Sequence, residues 1–142
     1  MPKARPDDVC PGAEHTTNTH AGSGGLDAPV STERAAAADR LRDLNDRLRR
    51  DGIGGRVMVT RGIACLGQQR QRAIIEAVRR FGDFSPRNDP YGEHDCAVVE
   101  VDGLSVIWKI DAYDLSMTMG SPDPLDPAAT CRVLTIMLAD EY

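Results

Sequence analysis

The sequence predicts an α+β domain in which a small, largely antiparallel sheet of three to four strands packs with about three helices. Two long segments carry apolar residues at helical spacing, whereas several strand-like runs follow one another without helices between them. A doubly wound parallel sheet, which alternates strands with helices, is therefore not expected. The 142 residues suffice for one domain with a substantial core.

Residues 1–31 are predicted to form a disordered tail that precedes a single domain at residues 32–142. The tail is rich in Pro, Gly, Thr and Ala and contains few large aliphatic residues, so it cannot bury enough surface to offset its ordering entropy. Cys10, His15 and His20 could hold a soft metal ion, but three ligands without a scaffold would make a weak site.

Two amphipathic helices are predicted in the N-terminal half of the domain. The first begins near Ser31 or Thr32, either of which can cap a helix, and ends at Gly52. The second covers "GQQRQRAIIEAVRRFG" at residues 67–82. The apolar stripes of the two helices consist of Ala37, Leu41, Leu44 and Leu48, and of Ile74, Ile75, Val78 and Phe81.

The strands are predicted from alternation and from turn residues. "GRVMVTRG" indicates a short strand at residues 57–60. In "CAVVEVDGLSVIWKID", two strand-like runs flank Asp102-Gly103, the dipeptide typical of a two-residue type I′ hairpin. "LSMTM" at residues 115–119 is a candidate third strand of this meander.

A last helix is predicted at about residues 127–140. Asp126 supplies an N-cap, and Pro127 suits the first helical position. The residues expected to be buried by this helix are Val133, Leu134, Met137 and Leu138.

Composition favours a soluble cytoplasmic protein. Apolar and charged residues make up 41% and 27% of the chain, and no apolar run approaches the roughly 20 residues that a membrane-spanning helix needs. The segment "MPKARPDDVCPG" lacks the apolar core of a secretory signal. Of the four cysteines, Cys65, Cys96 and Cys131 stand in apolar surroundings, where we expect small buried side chains rather than a zinc or disulfide framework. No cofactor is expected.

Charge is distributed unevenly along the chain. Residues 32–87 contain 13 basic and 7 acidic side chains, a balance of +6, whereas residues 88–142 contain 2 and 11, a balance of −9. These residues could be ordinary solvated helix faces and acidic loops. Alternatively, the acidic half binds a basic protein surface, or the basic helices face an anion. Nucleic-acid binding is not expected, because acidic residues interrupt the arginines of the first helix. The oligomeric state is not indicated.

The candidate catalytic residues are Glu93, His94 and Asp95, in the loop "NDPYGEHD" at residues 88–95. His94 is the one histidine of the predicted domain, and a neighbouring carboxylate could orient it as a general base. Adjacent side chains of an extended segment point to opposite sides, so Glu93 and Asp95 can share a side that His94 does not. The partner of His94 would then come from elsewhere, for instance Asp111 or Asp114.

Five further residues are binding candidates: Asn88, Asp89, Tyr91, Asp111 and Asp114. The two later aspartates could hold a divalent cation together with a loop carboxylate, or they could simply bond to backbone N–H groups in turns. The glycine-rich "DGIGG" lacks the Lys-Ser/Thr of a phosphate-binding loop, and no serine has the setting of a nucleophile elbow. No enzyme class is indicated.

Five blocks of the chain resemble a family of small bacterial proteins, domain of unknown function 3768, over about residues 38–142. The blocks are "LNDRLRR", "GGRVMVTRGIACLG", "FSPRNDPYGEHD", "WKIDAYD" and "GSPDPLDPAATCRVLTIMLADEY". The chain departs from the family pattern at Cys96-Ala97, where Phe-Gly is usual, and at Ala112-Tyr113, where an aromatic pair is usual.

The resemblance implies that the protein is encoded on plasmids and other mobile regions, as members of the family look to be. It implies no role for any single residue. Two hypotheses follow from it and from the residues. The first is a non-enzymatic interaction protein, an accessory or counter-defence factor of a mobile element. The second is a small enzyme or metal-binding domain that uses the loop with Glu93, His94 and Asp95.

Overall fold

The structure, a computed structural model, describes residues 28–142, with side chains from residue 32 onward. The helices are α1 (Ala28–Asp51), α2 (Arg61–Ala64) and α3 (Gln68–Arg80), the strands are β1 (Arg56–Val59), β2 (Cys96–Val101), β3 (Leu104–Tyr113) and β4 (Cys131–Leu138), and a 3₁₀ turn follows at Ala139–Glu141. The proposed metal ligands of the tail, and the tail itself up to residue 27, lie outside the described residues.

The four strands form one sheet in the order β1-β4-β3-β2. β2 pairs with β3 and β3 with β4 in antiparallel fashion, while β1 runs parallel to β4. The predicted α+β class with a largely antiparallel sheet is confirmed. Within residues 28–142, no helix combines the length and the apolar composition that a bilayer crossing requires.

The hairpin between β2 and β3 turns at Asp102 and Gly103, as the sequence predicts. Their φ angles are 51° and 82°, so both residues adopt the left-handed conformation that a type I′ turn requires. The turn sets the register, which pairs Val99 with Val106 and Ala97 with Trp108. Because side chains alternate along a strand, this register places Ala97 and Trp108 on the same face of the sheet.

That face carries the core, and the helices cover it. Trp108 and Ile110 on β3 pair with Ile136 and Leu134 on β4, and all four side chains are buried. Against them pack Leu48 of α1, Ile63 of α2, and Ile74 and Val78 of α3. The intervening position Lys109 lies on the opposite face and is partly exposed.

Two boundaries differ from those predicted. α1 already starts at Ala28, so neither Ser31 nor Thr32 caps it. Pro29 is compatible with this earlier start, because the first turn of a helix needs no N–H donor. α3 ends at Arg80, with Phe81 rather than Gly82 as the capping residue.

The predicted last helix is wrong, since residues 131–138 form strand β4. Its apolar residues match a helical stripe, but β4 lies between β1 and β3 and is covered along most of its length, and an inner strand of this kind has a nearly continuous apolar run. The β-branched residues Val133, Thr135 and Ile136 also favour a strand. Asp126 accepts a hydrogen bond from the Ala128 N–H at 2.9 Å and organises a turn instead.

The predicted third strand "LSMTM" is also wrong, because residues 115–119 form a turn. Met117 has a φ of 62°, and the Asp114 N–H donates to the Met119 carbonyl oxygen at 2.8 Å, which reverses the chain. Cys65 is exposed rather than buried: it caps the short helix α2, in which Ile63 takes the core position. Cys96 is buried as expected, and Cys131 is half-buried.

The core predicts a large effect for Trp108→Ala, which removes a completely buried side chain. We expect a loss of about 3–5 kcal/mol in the free energy of unfolding, measured by urea denaturation. Leu115→Ala is the matched control, since Leu115 is 67% exposed and should change stability by less than about 0.5 kcal/mol. Similar losses for the two variants would contradict the assigned core.

Candidate functional site

A cleft of about 370 Å³ opens where α1 and the loop at residues 88–95 meet one end of the sheet. Its walls come from α1, this loop, the start of β2, β3, β4 and the segment between the last two strands. The lining residues are Leu41, Asn45, Tyr91, Glu93, Asp95, Cys96, Lys109, Ile110, Asp111, Ala112, Tyr113, Gly120, Ser121, Pro124 and Arg132.

Asn45 of α1 holds two walls of this cleft together. Its Nδ2 donates to the backbone oxygen of Glu93 at 2.9 Å, and its Oδ1 accepts from Arg132 Nε at 3.0 Å. Arg132 Nη2 in turn donates to the Pro124 carbonyl oxygen at 2.6 Å. One buried amide therefore fixes the loop, β4 and the segment before β4 relative to α1.

Arg132 is a buried cation with neutral partners. It is 3% exposed, and both of its hydrogen bonds go to uncharged oxygen atoms. Burial lowers the pKa of Arg132, although a guanidinium stays charged at neutral pH. Within residues 32–142 no carboxylate pairs with it and no group accepts a hydrogen bond from its Nη1, and its side chain lines the cleft.

Glu93 contributes a carboxyl group to the same cleft. The Asp89 carboxylate positions its backbone, because Oδ1 accepts from the Glu93 and His94 N–H groups at 3.1 and 3.2 Å. The Glu93 carboxyl itself has no hydrogen-bond partner among the side chains and backbone groups that the structure describes. Burial, together with the negative charges of Asp95 and Asp89, raises the pKa of Glu93 from 4.5 to about 7.

The remaining charges of the cleft belong to β3 and to the loop. Lys109 Nζ lies 2.9 Å from Asp111 Oδ2. Burial alone would lower the pKa of Lys109, but the hydrogen bond to Asp111 and nearby acidic groups raise it. Asp95 lies just before β2, and its carbonyl oxygen accepts from the Ile110 N–H at 2.7 Å. Carboxyl groups thus outnumber cations on these walls.

The family model described as "Protein of unknown function (DUF3768)" matches residues 59–141. The chain belongs to this family. The expected resemblance is confirmed, although the match begins at residue 59 and not near residue 38. No curated protein and no solved structure matches the chain.

Only part of the cleft of this DUF3768 protein lies within the segment that the family model matches. Glu93 and Arg132 lie inside the matched segment, whereas Asn45 on α1 lies outside it. Neither Arg132 nor Asn45 was among the residues singled out from the sequence. A signal for Arg132 was present: an arginine inside the otherwise apolar strand "CRVLTIML" requires polar partners when it is buried.

His94 does not line the cleft, so the structure separates it from Glu93 and Asp95. Its Nδ1 lies 2.9 Å from Asp46 Oδ1, and its Nε2 lies 3.6 Å from Asp89 Oδ2. The ring stacks on Phe84 with centroids 3.7 Å apart and planes inclined by 7°. The expectation that Asp111 or Asp114 orients His94 is wrong, because α1 and the loop itself provide the carboxylates.

The other binding candidates are divided between the cleft and the turns. Tyr91 and Asp111 line the cleft. Asn88 Oδ1 accepts from the Ser85 N–H at 2.8 Å, and Asp114 Oδ1 accepts from the Thr118 N–H at 3.0 Å. The hydrogen bonds to Asp114 lower its pKa. Within residues 32–142, no three His, Cys, Asp or Glu side chains are arranged to hold a metal ion.

His94→Ala should destabilise this DUF3768 domain by about 1–3 kcal/mol, because it removes a charge-assisted hydrogen bond to Asp46 and the stacking on Phe84. His94 has a φ of 53°, so part of the loss could come from strain in alanine. His94→Gly separates the two effects, since it removes the same ring and relieves the backbone. Thermal and urea denaturation in which His94→Gly equals the wild type would exclude a stabilising role for the ring.

The charge of Asp46 predicts that its contribution to the free energy of unfolding depends on pH. Burial alone would raise the pKa of Asp46, but hydrogen bonds and charges of His94 and Arg49 more than offset it and lower the pKa from 3.8. The stabilisation is therefore present above about pH 4 and is lost as the pH falls through the pKa of the folded state.

Asp46→Asn keeps a hydrogen-bond acceptor and removes the charge. We expect its deficit in unfolding free energy to be largest near pH 7 and to shrink below about pH 4. Asp140→Asn, at an exposed position of the C-terminal turn, serves as the control. A deficit of Asp46→Asn that stays constant from pH 7 to pH 3 would contradict the electrostatic explanation.

Proposed function

We propose that this DUF3768 protein is a non-enzymatic interaction protein that binds a basic side chain of a partner protein in the cleft. The observation that carries the proposal is the Glu93 carboxyl group, which lines the cleft and whose surroundings contribute burial and two negative charges but no hydrogen bond from the described residues. An ammonium or guanidinium group placed there would supply the missing donors and offset the mutual repulsion of Glu93 and Asp95.

The electrostatics of the cleft favour the binding of a cationic side chain. Lys109 is engaged with Asp111, so these two charges largely compensate each other. Arg132 opposes a cation, but its guanidinium is fixed by Asn45 and Pro124 on the β4 side. The balance of −9 over residues 88–142 would attract a basic surface before docking.

The cellular setting that we propose is the cytoplasm, where the protein acts as an accessory or counter-defence factor of a mobile element. This part rests on the composition and on the resemblance given above. A membrane partner is not part of the proposal.

A second candidate function is general acid–base catalysis by Glu93. A carboxyl group that titrates near neutral pH in a cleft suits proton transfer. His94 supports this candidate less, since both its ring nitrogens face carboxylates outside the cleft. Mass spectrometry of a bound ligand distinguishes the two functions, because an interaction protein returns the ligand unchanged.

Binding of a cationic probe should rise with pH. With a pKa of about 7, Glu93 ionises mostly between pH 6 and pH 8, so the affinity for Nα-acetyl-lysine amide should increase about tenfold over this range. NMR chemical-shift titration provides the measurement. Glu93→Gln should bind weakly at both pH values, while Glu100→Gln, an exposed carboxylate outside the cleft, should behave like the wild type.

The stability of the Glu93→Gln variant shows whether a loss of binding comes from unfolding. The pKa of Glu93 is higher in the folded state, so the stability linked to its protonation is present below about pH 4.5 and is lost as the pH rises through 7. The variant should therefore be more stable than the wild type at pH 8, by up to about 3 kcal/mol. Undiminished probe binding by this well-folded variant would reject the proposal.

A further inference from the structure

A second charged group in the cleft has no ion-pair partner among the described residues, and its charge is opposite to that of Glu93. Arg132 is 3% exposed, its Nε and Nη2 are occupied, and its Nη1 has no hydrogen-bond partner among the described residues. A buried charge without a counter-ion is costly, and an anion from outside would relieve this cost. The arginine therefore provides an anchoring point that is independent of the acidic wall.

We propose that the cleft binds a residue that carries a free carboxylate beside its basic side chain, as a C-terminal lysine or arginine does. The carboxylate binds Arg132 Nη1, and the basic side chain reaches Glu93. This inference rests on the proposed function and adds the carboxylate to it.

The geometry of Asn45 supports a single ligand that contacts both groups. Its amide binds the Glu93 backbone on one side and the Arg132 guanidinium on the other, at 2.9 and 3.0 Å. The backbone of Glu93 and the guanidinium of Arg132 are therefore bonded to the same amide, and both side chains line the same cleft. No ion pair joins Glu93 to Arg132 in the described structure, so each charge is available to a ligand.

The rigidity and size of the cleft support a chain end. Two of the three guanidinium nitrogens are fixed, so Nη1 is oriented before the ligand arrives, and a preorganised donor loses little entropy on binding. A volume of about 370 Å³ is at the lower end of ligand pockets and accommodates one or two residues. A terminal residue brings a carboxylate and a basic side chain together, which an internal residue does not.

The charged groups and the tyrosines around this ligand come from the loop, β3 and β4. They are Asp95 and Tyr91 from the loop, Lys109, Asp111 and Tyr113 from β3, and Arg132 from β4, in addition to Glu93. Lys109 is already paired with Asp111. Arg132 is therefore the cation of the cleft that has no carboxylate partner among the described residues.

The test compares matched ligands on the intact wild-type protein at pH 8. Nα-Acetyl-lysine should bind at least about tenfold more tightly than its amide, which lacks the carboxylate, and than Nα-acetyl-norleucine, which lacks the ammonium group. Equal affinities of the acid and the amide would overturn the inference while leaving the proposed cation site intact. If neither the amide nor the acid binds, both the proposed cation site and the carboxylate site are rejected.

The variant Arg132→Gln tests whether Arg132 causes the preference for the acid over the amide. The variant should bind acid and amide equally, and retained binding of the amide shows that the cleft is still folded. A decapeptide ending in lysine and free lysine distinguish the source of the ligand. Tighter binding of the peptide supports a C-terminal partner segment, whereas tighter binding of free lysine would overturn the assignment to a protein chain end.

Discussion

The buried guanidinium of Arg49 joins the helices, the sheet and the loop that borders the cleft. It is 1% exposed, and its Nη1 lies 2.9–3.1 Å from the carbonyl oxygens of Val78, Arg79 and Phe81 at the end of α3. Carbonyl oxygens at the C-terminus of a helix have few helical partners, and a cation suits this end; the Val78 oxygen also accepts from the Phe81 N–H at 3.3 Å. The rings of Phe84 and Trp108 lie 5.4 and 5.2 Å from the guanidinium carbon, so packing and charge act on the same group.

Asp46 extends this interaction towards the cleft. Its Oδ1 accepts from Arg49 Nη2 and faces His94 Nδ1, each at 2.9 Å. His94 follows Glu93 in the chain and has a left-handed backbone, so its ring ties the loop between α3 and β2 to α1. The ionic chain from Arg49 to His94 therefore stabilises the fold on one side of the loop and leaves the Glu93 carboxyl on the other.

The sequence predicted the elements whose pattern is local. Periodicity identified α1 and α3, and Asp102-Gly103 identified the hairpin, because a type I′ turn depends on two adjacent residues. β4 was misread since its apolar positions fit a helix as well as an inner strand, and only the neighbours β1 and β3 decide between them. The separation of His94 from Glu93 was expected from alternation in an extended segment, whereas the structure has a left-handed His94 with a φ of 53°. The contact of Arg132 with Asn45, 87 residues apart, leaves no local pattern.

The cleft retains two opposite charges that do not pair, and this arrangement links ligand binding to protons. Asn45 is hydrogen-bonded to the backbone of Glu93 and to the guanidinium of Arg132, yet no ion pair joins these two side chains among the described residues. Glu93 is consequently about half protonated at pH 7. A cation bound beside it favours the ionised form, so binding must release about half a proton at this pH, and the released fraction must fall towards pH 8. Binding at Arg132 releases no proton, because the guanidinium stays charged throughout this range.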